Sequence, residues 1–305
     1  IRLVTSHLVL IYNLIFICSR SLASDEVRRC CKYQHTNETK PKLPKYMTAP
    51  NCGRKFQPSY NISPKDMCPV LLSAAHCGEN KDSANRIIVP MMWGMVPRWH
   101  EGHYSEHVLE THNCRLETCK TSYLYSPPLE AGRRCVVLCE GFYKWQLEKN
   151  LKPLKSSERP AFYVHMPQTE GVKMEDKSTW KHEGINLLKM AGLFDDWQNE
   201  YGDTLYSYTV ITMESNERFS KIHYRMPAIL ESEDEVSAWL DFRSVGTDRA
   251  LQMLKPSELI QWYPVSNFVN YSYHDTDECN KPLEEEDIKN LPRSKYNLMS
   301  FFTRE

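Results

Sequence analysis

The residues best suited to chemistry lie in short, separated blocks. His103-Tyr-Ser-Glu-His107 fits H-x-x-E-H, a spacing that would set two imidazoles on one helical face around zinc while the glutamate activates the metal's water. His100 and His112 thicken the cluster, but such a zinc site needs a third ligand and a long helix, and Gly102 and Asn113 argue for a loop. Three other blocks mix polar and apolar groups: Thr111-His-Asn-Cys-Arg115, Arg133-Arg-Cys-Val-Val-Leu-Cys-Glu-Gly-Phe-Tyr-Lys-Trp145 and His223-Tyr-Arg-Met-Pro-Ala-Ile-Leu230. An imidazole such as His223 suits proton transfer near neutral pH, and a lone histidine is equally a core residue satisfied by hydrogen bonds. Asn113 and Arg115 would otherwise be a surface loop with an ordinary salt bridge. Trp93, Phe142 and Trp145 could stack on the bases of a single strand or pack in a core. Arg54, Lys55, Arg133 and Arg134 could line a phosphate track or simply be solvated.

In this order and rough spacing the three blocks resemble the signature of the SRAP family, the SOS-response-associated peptidase domain, which crosslinks itself to abasic sites in single-stranded DNA. Pro58-Ser-Tyr-Asn-Ile-Ser-Pro64, Met92-Trp-Gly-Met-Val-Pro97, Met190-Ala-Gly-Leu-Phe194 and Leu205-Tyr-Ser-Tyr208 extend the likeness over roughly residues 18–277. The resemblance implies a demanding reaction. A ring-opened deoxyribose aldehyde is attacked by the α-amine and thiol of an N-terminal cysteine, closing a thiazolidine. An α-amine titrates near pH 8, so a useful fraction is nucleophilic. An internal cysteine, whose nitrogen is an amide, cannot do this.

Carried onto this chain, the family pattern makes Cys18 the nucleophile if the mature chain begins there, with self-cleavage exposing it. Family members start Met-Cys-Gly-Arg, whereas this chain has Cys18-Ser-Arg20; Cys52-Gly-Arg54 is a verbatim but less well placed rival. His223 would assist sugar ring opening and proton transfer, Asn113 would orient the opened sugar, and Arg115 would grip the adjacent phosphate in a bidentate manner. Arg20 and Arg225 complete the expected DNA-binding set with Trp93 and Trp145. The family's general acid/base is a glutamate in the F-Y-E-W segment, and this chain has Lys144 there. A lysine cannot serve as a base near neutral pH without a large pKa depression. Glu140 and Glu148 lie close in sequence as substitutes. The resemblance implies no metal and no organic cofactor. It leaves two readings open, a crosslinker with autopeptidase activity and a noncatalytic single-stranded DNA binder; the H-x-x-E-H metalloprotease stands as a remote third.

Composition constrains these readings. A 305-residue chain with formal net charge -1 does not coat nucleic acid through a global positive field, so binding must come from a local groove. Eleven cysteines, with no C-x-x-C pair, suggest free thiols in a reducing compartment rather than a zinc ribbon or a complete disulfide framework. Leu8 to Cys18 is apolar apart from Asn13, and Ser21-Leu-Ala23 could be a cleavage site. Residues 1–17 are therefore read as an apolar leader or a non-native start. The run is too short for a spanning helix, which needs about 20 residues. Sequons at Asn37, Asn61 and Asn270 would fit a secreted protein. The family resemblance instead implies a nuclear protein at replication forks, monomeric and not membrane-bound.

The elements that must position these groups are mostly short strands. Residues 134–138, 161–166, 205–213 and 260–266 are rich in Val, Ile, Tyr and Thr. Helices are predicted over 233–242, over 247–254 with Thr247 as N-cap, and over 24–33. Residues 168–184 read as a surface insertion. The expected fold is α+β, one SRAP domain over 18–277 with a mainly antiparallel, barrel-like core and a few short helices. Residues 278–305 read as an acidic disordered tail. Its end, Lys295-Tyr-Asn-Leu-Met-Ser-Phe-Phe302, resembles a PIP box, with Leu298, Phe301 and Phe302 as anchors for the sliding clamp (PCNA).

Overall fold

The computed structural model describes residues 17–35, 39–78, 82–107, 109–147 and 159–290. The apolar start, Asn37, Glu148 and the PIP-like anchors Leu298, Phe301 and Phe302 lie outside the described residues. The strands are β1 (Ile17–Arg20), β2 (Lys45–Tyr46), β3 (Ser59–Ile62), β4 (Met67–Ser73), β5 (Arg86–Trp93), β6 (Asn113–Arg115), β7 (Arg134–Cys139), β8 (Gly141–Trp145), β9 (Ala161–His165), β10 (Leu188–Gln198), β11 (Thr204–Glu214), β12 (Arg225–Pro227) and β13 (Gln261–Val265). The helices are α1 (Ser24–Cys30), α2 (Ser126–Glu130), α3 (Glu217–Ser220), α4 (Glu233–Leu240), α5 (Thr247–Gln252) and α6 (Glu285–Asn290).

A closed ring of strands organises the molecule. β11, β10, β7, β4 and β5 pair antiparallel in that order, and β5 returns to β11 in parallel through Ser207↔Met92 and Tyr208↔Trp93. An odd number of strands cannot alternate direction all the way round, so one parallel contact is required. Every residue of β4, β5 and β7 is buried, which explains why these strands read as continuous apolar runs rather than as alternation.

A second, wholly antiparallel sheet runs β13-β9-β8-β1-β3. The corner from β7 into β8 is Glu140, 1% exposed. Its carboxylate accepts hydrogen bonds from Ser21 Oγ (2.6 Å), Leu22 N (2.7 Å) and Ser19 Oγ (3.3 Å), clamping β1 to the junction of the two sheets. At Gly141 an added Cβ would lie 2.3 Å from the Tyr163 ring, so the next residue must be glycine to let β8 and β9 meet.

The α+β, barrel-cored architecture is as expected, and the four predicted strands are present. α4 begins at Ser232 with a reciprocal cap from Glu235 and is anchored where Trp239 Nε1 donates to the Cys135 carbonyl (2.8 Å). The N-cap of α5 is Gly246, and Thr247 is the first helical residue instead. α1 stops at Cys30, and Tyr33 pairs with Lys42 in an isolated bridge. The 168–184 segment is turns plus one short 3-10 turn, tied down where Asn280 Nδ2 donates to the Met174 carbonyl. The expected tail does not leave the domain at residue 278: Cys279, Asn280 and Ile288 are buried and Pro282 bridges Val265. Among the described residues no helix is long and apolar enough to cross a membrane.

Candidate functional site

β11 assembles the site because its far end has different neighbours on each edge. β6 pairs beside it in parallel, Asn113↔Val210 and Arg115↔Thr212, while β12 pairs antiparallel, Thr212↔Pro227 and Glu214↔Arg225. β8 of the second sheet approaches this end. Between them lies an open cleft of ≈ 520 Å³, its mouth included, lined by Glu110, His112, Asn113, Arg115, Phe142, Lys144, Thr212, Arg225, Met226 and Pro227. The three polar blocks of the sequence thus converge, although they are separated along the chain.

Charge in the cleft is organised around Arg225. Its guanidinium donates to Glu117 Oε1 (2.7 Å) and Oε2 (3.0 Å) and to the Thr212 carbonyl (2.6 Å). The pair holds the Glu117 carboxyl below the usual range. Lys144 is 4% exposed. Burial, and secondarily the Arg225 charge, lower its amine to about 7. His112 is lowered to about 4 by burial and by Lys144. At neutral pH the cleft therefore holds a neutral imidazole and an amine that exchanges protons readily. Asn113 is half-buried, its carbonyl accepting from Tyr125 Oη (3.2 Å), and Arg115 is exposed.

Cys18 is fully buried and is the register partner of both Phe142 and Ile62. Side chains of register partners share a face, so Cys18 lies on the same face of the sheet as Phe142 and Lys144. Burial raises its thiol, but a hydrogen bond with Cys139 and the Arg20 charge outweigh that, leaving it below the ordinary cysteine range. His223 is buried beneath β12 rather than among the lining residues. Its Nδ1 accepts from Arg225 N (3.0 Å) and its ring stacks on Tyr224.

Several expectations are corrected by burial. Trp93 and Trp145 have no ring face open to a base: Trp93 Nε1 donates to the His112 carbonyl (3.0 Å), and Trp145 Nε1 donates to Asn270 Oδ1 (2.5 Å) in the core. Arg20 is 2% exposed, its guanidinium 5.8 Å from the Tyr208 ring centroid, and so lies in the interior rather than on a DNA-facing surface. Arg225 lines the cleft but is committed to Glu117. Arg133 pairs with Asp195 and Asp196, and Arg134 is buried against Trp239, so neither forms a phosphate track. Glu140 faces Ser19 and Ser21, the side of β1 opposite Cys18, and does not replace the missing cleft glutamate. Cys52 lies beside Asp203 at the other end of β11, roughly 30 Å of strand from Thr212. His103 to His107 form a turn, with Glu106 N donating to the His103 carbonyl (2.9 Å) and His103 Nδ1 against Ser105 Oγ, so the two histidines share no helical face. Among the described residues no three metal-binding side chains cluster.

The sequence reading missed Thr212, Glu117 and Glu110. Thr212 lay inside a predicted strand with nothing to mark its end as a site, and Glu117 follows Arg115 by two residues with no motif of its own.

Comparison with known proteins identifies a family. The model of the family described as SOS response associated peptidase (SRAP) matches residues 28–272. A relative from Xenopus tropicalis, abasic site processing protein HMCES, is 41% identical over 271 residues, covering 86% of this chain and 77% of its own. The Gallus gallus protein of the same name is 38% identical over 275 residues, covering 88% and 78%. Abasic site processing protein YoqW of Bacillus subtilis is 28% identical, covering 71% and 82%. Among solved structures, a protein from Bacteroides thetaiotaomicron superposes with a TM-score of 0.61 at 20% identity, covering 88% of this chain and 100% of that one, which speaks for the fold. The chain is a member of the SRAP family.

Proposed function

We propose that this protein processes abasic sites in single-stranded DNA, holding the lesion in the β6–β8–β11–β12 cleft and joining it covalently to Cys18 once processing has made that residue the N-terminus. The convergence of Asn113, Arg115 and Lys144 beside the Cys18 register carries the reading. Because β1 runs antiparallel to β8, with Ile17 opposite Tyr143, the nitrogen of Cys18 lies towards the Lys144 end. An α-amine there would meet an aldehyde bound against Phe142 and Asn113. The amine adds to C1′ and water leaves to give an imine; the Cys18 thiol then adds across it to close the thiazolidine. Arg115 suits the flanking phosphate, and Lys144, titrating near 7, can exchange protons where an ordinary lysine could not.

A second reading rests on Ile17, which continues β1 before Cys18. A chain not processed at that bond has an amide there and would hold the lesion without thiazolidine formation. Salt-dependent binding without an adduct is its signature.

The test pairs N-terminal sequencing of protein from its source with a denaturing gel after incubation with a single strand bearing one abasic site. The expected result is a Cys18 N-terminus and a heat-stable adduct that C18S abolishes. An upstream or blocked N-terminus with no adduct would favour the noncovalent reading.

A further inference from the structure

Lys144 is the lysine of the cleft lining and shares it with Asn113 and Arg115, the groups that would hold a sugar-phosphate, and with Arg225, which is paired to Glu117. It projects from β8 on the same face as Phe142 and Cys18. An amine so placed need not act only on protons. We infer that Lys144 is itself a nucleophile, its Nζ condensing with the ring-opened aldehyde of a bound abasic site to form an imine. This rests on the abasic-site reading above and adds a second covalent route that needs no free N-terminus.

The physical case has two parts. The first is position, since Lys144 lines the cleft that an aldehyde between Asn113 and Phe142 would occupy. The second is protonation. Burial and a neighbouring guanidinium are the two devices that make lysine a nucleophile in proteins, and both act here, bringing Lys144 to about 7. The groups around it are Arg225 on β12 with its partner Glu117, Arg115 on β6, His112 just before β6, and Glu110. His112, lowered to about 4, adds no charge at neutral pH. The step balances without an oxidant or reductant. The neutral Nζ attacks C1′, its two protons end on the carbonyl oxygen, that oxygen leaves as water, and an Nζ=C1′ double bond replaces C1′=O. Water reverses the reaction, so the adduct survives denaturation only after reduction.

The experiment uses the full 305-residue chain, in which the Cys18 nitrogen is an amide. It is mixed with a single strand carrying one natural abasic site, in the presence of cyanoborohydride, and the adduct is mapped by peptide mass spectrometry. A parallel strand carries a tetrahydrofuran site, which has no aldehyde, and its binding is compared with that of an intact strand. The expected result is a reduced adduct on the Lys144 peptide, absent without reductant. Its initial rate should rise about tenfold from pH 6 to pH 8 as the neutral fraction grows, and K144R should lose it. An adduct mapping elsewhere, or preferential binding of the tetrahydrofuran strand with no reduced adduct on the natural site, overturns the inference and leaves the abasic-site reading standing. Equal binding of tetrahydrofuran and intact strands sinks that reading, and the imine with it. Mapping on the unaltered chain makes the outcome independent of whether K144R folds.

Discussion

His76 shows how single residues couple the fold to pH. Its ring stacks on Phe242, with centroids 4.1 Å apart, and burial together with Arg133, Arg134 and Arg243 lowers it to about 4. The unfolded chain takes up this proton near pH 6.5, whereas the folded one does so only near 4. The stability it contributes is thus complete above 6.5 and lost as pH falls towards 4. H76F keeps the stacked ring without the titration. Urea unfolding of the parent should weaken between pH 7 and pH 5 by roughly 1–2 kcal/mol more than that of H76F; identical losses would show that the imidazole does not titrate this way. At the same scale, the sequence exposed the polar residues of the site but not their burial. Asn113, Arg115 and Lys144 stand in recognisable blocks, and they do converge. Trp93, Trp145 and Arg20 resemble a binding surface in sequence because side-chain type does not report depth. Their burial follows from strands far away in the chain.

Elements act here through one junction. Glu140 is the link between barrel and second sheet, and its three hydrogen bonds hold the Ser19–Leu22 stretch. E140A would leave buried donors unpaired, costing roughly 1–3 kcal/mol. Hydrogen exchange should therefore accelerate in β1 well before it does in β10 or β11. Uniform acceleration across all three strands would contradict the clamp, as would no change. The strands themselves were legible where β-branched and aromatic residues cluster, as in β7, β9, β11 and β13. Short β6 and β12 were not, because three residues carry no period; they are strands only because β11 pairs with both. The parallel closure of β5 on β11 was equally invisible, since it joins Met92 to Ser207 across more than a third of the chain. Thr247 shows a local rule overridden, its place at the cap taken by Gly246.

The whole molecule is nearly neutral, at net charge -1. It offers DNA no broad positive field, and Arg133 and Arg134 are spent on Asp195, Asp196 and the core rather than on a phosphate track. On the proposed function, discrimination between an abasic site and an intact nucleotide falls to the cleft. The most direct measurement is competition binding of a tetrahydrofuran-containing single strand against the same strand intact, at one salt concentration, for the parent protein and for N113A/R115A. The predicted result is at least a tenfold preference for the lesion, about 1.4 kcal/mol, that largely disappears in the double variant while its thermal unfolding is retained. Equal affinity for both strands, or a preference that survives the double substitution, would contradict the assignment of this cleft as the lesion site.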